Sequence, residues 1–184
     1  MKAKIRRRFK PMNKTNAKNN ITPNPAAVRP AQDGDIPDIT RLLYQVLEIH
    51  HNGRPDLFKS NATKYNQSQL RDILRNPETP VFVYPDPDSP ENHILGYAFC
   101  IFQRKLNDNI LTDIQTLYID DLCGDESRRQ SGIGQALFQH VRDFAAQSGC
   151  YNLTLNVWAA NHNAIKFYQN LGFQTQKTGL EIIL

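Results

Sequence analysis

Two arginines and two glycines stand close together in the segment RRQSGIG, residues 128–134. Arginine side chains supply positive charge, and glycines let an anion approach backbone N–H groups without meeting a Cβ atom. At the start of a helix, unpaired N–H groups and the positive end of the dipole add to this attraction. The spacing therefore favours binding of a phosphate group, although a simple tight turn also fits the pattern.

The neighbouring segments predict the elements that would position this loop. Ahead of it, TDIQTLYIDDL is rich in β-branched and apolar residues, which is typical of a strand. After it, apolar residues recur at helical spacing through QALFQHVRDFAAQSG. No Gly-Lys-Ser/Thr ending and no third glycine follow, which excludes a nucleotide-hydrolase loop and a dinucleotide fingerprint.

The pattern along the rest of the chain predicts the element order β-α-α-β-β-β-α-β-α-β. We therefore expect an α/β (α+β) fold, in which a single domain has a mixed central sheet flanked by about four helices. The strands are predicted at 26–29, 80–85, 93–103, 109–122, 152–158 and, last, in the segment ending at 184; the helices are predicted at 36–51, 68–76, 133–149 and 163–172.

Composition narrows the class of protein. The 184 residues suit one domain, and 40% hydrophobic with 22% charged residues is ordinary for a globular protein. No apolar run approaches the ~18 residues that a membrane span needs. Cys100, Cys123 and Cys150 are widely spaced and lack a Cys-x-x-Cys pair, so we expect no metal and a reducing, cytoplasmic location.

The positive net charge belongs to the N-terminus. Residues 1–20 hold eight of the 22 Lys and Arg residues and none of the 18 acidic ones, so the remainder carries about −4. We predict a basic, disordered tail over 1–24 and a folded domain over 25–184. Such a tail could contact nucleic acid, an anionic membrane surface or an import receptor. We expect instead a solvated tail that binds neither nucleic acid nor a membrane, or an upstream extension with the working start at Met12.

A second segment, NHNAIKFYQNLGF at 161–173, completes a signature when it is combined with RRQSGIG. Together they resemble the GCN5-related N-acetyltransferase (GNAT) superfamily over roughly residues 26–184, nearest in motif to spermidine/spermine-like enzymes. The family's cofactor motif is Gln/Arg-x-x-Gly-x-Gly/Ala. The matching residues are Arg129, Gly132 and Gly134 in the first segment, and Asn161, Ala164, Phe167, Tyr168, Gly172 and Phe173 in the second.

The resemblance implies acetyl-CoA as co-substrate, without a metal. Backbone N–H groups of residues 129–134 would then hold its pyrophosphate, and a β-bulge at 122–124 would separate two parallel strands so that the pantetheine arm pairs with the free edge. The residues expected to contact the coenzyme are Leu122, Cys123, Gly124, Arg129, Gln130, Ser131, Gly132, Ile133, Gly134, Asn161 and Tyr168.

The resemblance also implies catalytic roles. An amine must lose a proton before it attacks the thioester, and the departing thiolate must gain one. Asp120 matches the acidic position of the spermidine/spermine-type enzymes and is the candidate base. Asp121 is expected on the opposite face of the strand, with the roles exchanged if Asp121 faces the substrate. Tyr168 is the candidate acid, and covalent catalysis by Cys123 is the less favoured alternative.

The sequence gives conflicting indications about the molecule that accepts the acetyl group. In the family, the first two helices and their connection shape the acceptor site. There, His50 and His51 could orient a substrate or take a proton, and Arg54 could bind a carboxylate. Acidic residues near the candidate base would instead favour a cation, so we predict only an amine, on a small molecule or a protein. A homodimer is left open.

The expected function is acetyl transfer from acetyl-CoA to an amine by direct attack in a ternary complex. The alternatives are a catalytically idle acyl-CoA-binding module that regulates a partner and a nucleic-acid-associated protein directed by its tail.

Overall fold

The protein is described here by a computed structural model that covers residues 24–89, 91 and 93–184. The described residues form a single domain with one mixed sheet and four α-helices, as the sequence predicts, but the sheet has five strands where six were predicted. The elements are β1 (Arg29–Pro30), α1 (Ile36–Gly53), α2 (Gln67–Arg75), β2 (Val81–Pro85), β3 (Ile94–Arg104), β4 (Gln115–Gly124), α3 (Ile133–Gln147), β5 (Asn152–Leu155) and α4 (His162–Asn170).

The strands lie in chain order, β1-β2-β3-β4-β5. The first four pair antiparallel, whereas β4 and β5 pair parallel. A parallel pair needs a crossover connection, and α3 supplies it. The sheet is therefore mixed, and the connection between its only parallel pair among the described residues contains segment 128–134.

Helices cover both faces of the sheet. The amphipathic stripe of α3, with Leu137 and Val141 fully buried, packs on one face against Leu117 and Ile119 of β4. On the other face, Leu42 of α1 and the residues around it pack against β2 and β3. Helices α1 and α3 each bury the face that their apolar spacing predicts.

Strands β4 and β5 separate part-way along. Their pairing runs from Thr116↔Asn152 to Ile119↔Leu155, where β5 ends, while β4 continues to Gly124. Among the described residues, segment 120–124 of β4 therefore has no strand partner on its β5 side. This free edge is the feature that the predicted bulge was expected to create.

The bulge itself lies earlier than predicted. The register with β3 runs Phe99↔Asp121 and then Cys100↔Ile119, so Asp120 is the extra residue. Segment 122–124, where we expected the bulge, pairs regularly with β3. The prediction of its position was wrong because family spacing does not set register, which depends on where β3 packs.

The predicted last strand is absent. Residues 174–184 are described and contain no regular secondary structure. The apolar spacing there is strand-like, but a strand forms only when its backbone groups find a partner in a sheet. Four of its apolar side chains remain exposed, namely Leu180, Ile182, Ile183 and Leu184.

The predicted tail, residues 1–24, lies almost wholly outside the described residues, so the division at 24/25 stays a prediction. Across the described ranges, no helix has the length and apolar character needed to cross a membrane.

Candidate active site

The loop that precedes α3, residues 128–134, is called the anion loop below. Gly132 is the N-cap of α3 and has φ of 84°, which few residues other than glycine adopt. Gln130, two residues earlier, also has a positive φ, 64°. Left-handed residues in such a turn direct successive N–H groups to one side, which is the geometry of an anion-binding concavity.

Charge and free donors make the anion loop suitable for phosphate. Arg128 and Arg129 are exposed, and Arg129 is only loosely paired with Glu126, at 3.9 Å. In the part of the chain that the structure describes, the N–H groups of Gly132 and Gly134 donate to no protein acceptor. The residues present therefore fit a pyrophosphate, through backbone donors at a helix start and two cationic side chains.

Gly134 has a second reason to be glycine. A Cβ atom there would lie 3.2 Å from Cζ of Phe167 and 3.7 Å from Cδ2 of Leu122. The absent side chain lets α4 pack closely against the first turn of α3 and the free edge of β4. The anion loop and this edge are thus held side by side.

Asp120, the bulge residue, faces the connection between α1 and α2. Lys64 donates from Nζ to Oδ2 of Asp120 at 2.7 Å, and the Tyr65 hydroxyl donates to the same oxygen at 2.9 Å. The ring of Tyr65 packs against Phe99 of β3, with ring centroids 5.7 Å apart. The carboxylate is therefore held by an ion pair and a neutral donor from the same segment.

Asp121 lies on the same side as Asp120. It is half-buried, and its Oδ2 accepts a hydrogen bond from the hydroxyl of buried Tyr97 at 3.1 Å. Tyr97 belongs to the core on the α1 side, as does Phe99, the partner of Asp121 in β3. The expectation of opposite faces was wrong, because the extra residue at a bulge interrupts the alternation of side chains.

This arrangement changes the acidity of Asp121. Burial, with a contribution from the charge of Asp120, raises the pKa of Asp121 to about 6, although Lys64 and the Tyr97 hydrogen bond oppose the rise. At neutral pH the group is ionised, yet it binds a proton far more readily than an ordinary carboxylate. The two adjacent residues are called the carboxylate pair below.

Tyr168 lies on α4 close to the carboxylate pair. Burial raises the pKa of Tyr168 above its ordinary value, with a further contribution from the charge of Asp121. Its ring packs edge-on against Phe167 and Phe173, at 5.2 and 5.6 Å. The hydroxyl therefore keeps its proton at neutral pH in a position fixed by aromatic packing.

Asn161 starts the helix that carries Tyr168. Its side-chain oxygen accepts the backbone N–H of Ala164 at 3.1 Å, which caps α4. The family's Asn-x-x-Ala spacing thus has a local structural function here.

Cys123 is unsuited to covalent catalysis. The side chain is 8% exposed, and burial raises the pKa of its thiol to about 12, so it is not a thiolate near neutral pH. Gly124 follows it at the end of β4, where a Cβ atom would make only ordinary contacts with Ile133. Among the described residues, no cluster of His, Cys, Asp or Glu is placed to hold a metal ion.

A cavity of about 270 Å³ lies between the end of α1 and the segment that precedes α4. His50, Phe58 and Trp158 give it an aromatic lining, with the rings of Phe58 and Trp158 5.2 Å apart. Burial and the nearby charge of Lys64 lower the pKa of His50, so its neutral form is favoured. Asn161 also lines the cavity, which connects it to the start of α4.

Two of the predicted acceptor residues, His51 and Arg54, differ in their position relative to the cavity. Nδ1 of His51 donates to the carbonyl oxygen of Phe58 at 2.8 Å, outside the cavity lining. Arg54 lines the cavity but binds Asp56 at 2.7 Å and Glu181 at 2.8 Å. Its guanidinium is therefore occupied by two carboxylates of the chain.

The sequence did not predict that Lys64, Tyr65 and Tyr97 contact the two aspartates. Lys64 and Tyr65 lie in a connection without periodicity, and Tyr97 looks like one more apolar residue of a buried strand. The weak signal available was a hydroxyl inside an otherwise apolar run, since a buried Tyr O–H needs a partner.

The chain is similar in sequence to a known protein family and to several known proteins. Residues 43–173 match the model of the acetyltransferase (GNAT) family. The thialysine N-epsilon-acetyltransferase of Bos taurus is 25% identical over 154 residues, 80% of this chain and 83% of that protein. The probable N-acetyltransferase san of Drosophila melanogaster is 36% identical over 115 residues, 62% of this chain and 56% of that protein.

A solved structure is similar over most of the fold. A tetramutant of the BH1408 protein from Bacillus halodurans superposes with a TM-score of 0.80 and 30% identity, over 85% of this chain and 99% of that one. The names of the relatives do not confirm the expected nearness to spermidine/spermine acetyltransferases.

Proposed function

The chain belongs to the acetyltransferase (GNAT) family, and on this premise we propose that it transfers the acetyl group of acetyl-CoA to an amine nitrogen by direct attack. The family implies acetyl-CoA as the co-substrate, which supplies an activated thioester. One observation carries the finer proposal: two carboxylates share one side of β4 where it leaves β5, close to a protonated tyrosine.

The anion loop binds the pyrophosphate. Backbone donors of Gly132 and Gly134 and the charges of Arg128 and Arg129 attract it to the start of α3. The free edge of β4, at Leu122 to Gly124, then offers backbone groups to the pantetheine amides, as an exposed strand does to an added one.

Asp121 is the general base. Its pKa of about 6 lets it take a proton near neutral pH better than an ordinary carboxylate does. Asp120 instead holds the incoming ammonium, because it already binds one in the form of Lys64 at 2.7 Å. The choice between the two aspartates thus follows from which one has the raised pKa and which one already binds an ammonium group.

Tyr168 is the general acid. Its raised pKa keeps the phenolic proton in place until negative charge develops on the departing sulfur. A thiolate nucleophile at Cys123 is disfavoured by burial, which supports attack by the amine itself.

The acceptor is a primary amine on a small molecule or a protein side chain. The aromatic cavity beside Lys64 has room for an aliphatic chain, and the carboxylate pair favours a cationic end. The similar bovine enzyme is named for thialysine, an amine at the end of such a chain. Because Arg54 is occupied by Asp56 and Glu181, recognition of an acceptor carboxylate is not part of the proposal.

A thiol-release screen tests the proposal. The full chain is incubated with acetyl-CoA and, in turn, polyamines, amino acids, aminoglycosides and lysine peptides. We expect release above the hydrolysis background with at least one amine, which Asp121→Asn abolishes. Asp143→Asn, an exposed aspartate on α3, is the matched control. Tight acetyl-CoA binding without turnover on any amine would favour the idle binding module.

A further inference from the structure

Lys64 occupies the position that the proposed function reserves for an acceptor. Its Nζ atom lies 2.7 Å from Oδ2 of Asp120 and 3.4 Å from the backbone oxygen of the same residue. Both contacts fall at the bulge, where the free edge of β4 begins. An amine of the chain itself is therefore already docked at the carboxylate pair.

The charge of Lys64 also affects two other titratable groups. It lowers the pKa of Asp121 and that of His50 in the aromatic cavity, so the ammonium interacts electrostatically with both. The lysine side chain is 41% exposed, which leaves the nitrogen open to a second reactant.

The neighbours of Lys64 restrict its movement. Tyr65 packs its ring on Phe99 and donates its hydroxyl to Asp120, and Asn66 caps α2 through the N–H of Gln69 at 2.9 Å. The backbone on the C-terminal side of Lys64 is thus attached to β3, β4 and α2. An amine held in this way acts at a high effective concentration on anything bound at the free edge.

We propose that Lys64 is a site of self-acetylation, at which the chain transfers the acetyl group of acetyl-CoA to its own Nζ atom. The inference rests on the proposed function, since it uses the same carboxylates and the same tyrosine. Its product is an uncharged acetyl-lysine, which releases Asp120 from its ion pair.

The reaction balances without any further reactant. The ammonium proton of Lys64 passes to the carboxylate pair and on to water, and the freed lone pair attacks the thioester carbonyl carbon. A C–N bond forms and the C–S bond breaks, with its electron pair leaving on sulfur. The nitrogen, positively charged after the attack, loses its second proton to water, and the sulfur takes a proton from Tyr168, which water restores. The products are the neutral amide, the free coenzyme thiol and one proton released to water.

The test measures modification of the lysine directly. The full chain is incubated with acetyl-CoA and no added amine, and peptide mass spectrometry follows acetylation over time. Lys59, an exposed lysine in the same connection, is the internal control. We expect Lys64 to react about tenfold faster than Lys59 or more, because only Lys64 is held at the site. The rate constant should not depend on protein concentration, as transfer within one chain requires.

Variants separate enzymatic transfer from chemical acetylation. Asp121→Asn and Tyr168→Phe should each slow the reaction of Lys64 and leave that of Lys59 unchanged, and unfolding in urea should make the two rates equal. Equal rates in the folded wild type, or a Lys64 rate that neither variant changes, would overturn the proposal. If the chain acetylates an added amine while Lys64 reacts no faster than Lys59, only this inference fails and the proposed function stands.

Discussion

The anion loop and the carboxylate pair lie near the same unpaired segment of β4, yet the chain builds them in opposite ways. The anion loop uses backbone N–H groups and exposed arginines from seven consecutive residues. The carboxylate pair depends on Lys64, Tyr65 and Tyr97, which are 24 to 56 residues away in sequence.

The contrast separates binding from chemistry. Phosphate recognition needs donors and positive charge at a helix start, and water can share in it. Proton transfer needs a carboxylate whose pKa is shifted, and such a shift requires burial and neighbours from several elements. If this division is correct, variants of the two regions should affect different kinetic parameters.

The largest expected effect is that of Asp121→Asn. The amide keeps the shape and can still accept from the Tyr97 hydroxyl, but it cannot take a proton. We expect kcat to fall by about 10³ with little change in the Kd for acetyl-CoA. Single-turnover rates and calorimetry measure the two. A loss of coenzyme affinity with unchanged kcat would contradict the division between the regions.

The next largest effect is that of Tyr168→Phe. The ring contacts with Phe167 and Phe173 remain, so the fold should persist while the proton donor is lost. The single-turnover rate should fall by about 10². Tyr151→Phe, an exposed tyrosine, is the control and should match the wild type. An unaltered rate in the Tyr168 variant would remove this residue from the mechanism.

Removing both arginines of the anion loop should affect coenzyme binding and not the chemical step. In the double variant Arg128→Ala, Arg129→Ala we expect the KM for acetyl-CoA to rise about tenfold at low salt, with kcat nearly unchanged. The effect should shrink as ionic strength increases, because both side chains are exposed. Arg142→Ala, an exposed arginine on α3, should leave KM as it is.

The pH dependence of kcat in the wild type should reflect the titration of Asp121. With the pKa of Asp121 at about 6, kcat should fall about tenfold per pH unit below pH 6, as the base becomes protonated. Acceptor amines of different basicity distinguish this limb from titration of the substrate. A limb that moves with the amine would belong to the acceptor and not to Asp121.

The smallest effect expected is on stability, and it has the opposite sign to the effect on activity. Because folding raises the pKa of Asp121, its protonated form stabilises the fold below about pH 4, and this stabilisation is lost as pH rises through about 6. Asp121→Asn should therefore be more stable than the wild type by about 1–2 kcal/mol at pH 7. Urea unfolding of the wild type and the variant at pH 7 and near pH 4 measures this difference in stability. A difference that persists near pH 4 would have another cause.

Much of the fold was predictable from local pattern. The order of the first nine elements, the amphipathic stripes of α1 and α3, and the loop between β4 and α3 all follow from spacing within short segments. The predicted strand in the segment ending at Leu184 failed because apolar spacing says nothing about whether a sheet edge is available.

By itself the sequence determined the family, the position of the glycine-containing loop before α3 and the choice of Tyr168 as the candidate acid, since each depends on residues close together in the chain. Only the tertiary structure decided that the extra residue of β4 is Asp120, that Asp121 lies on the same side, and that Lys64 sits on the pair. The physical reason is that strand register and burial are properties of packing between distant segments. The pKa shift that gives Asp121 its proposed role exists only once those segments have met.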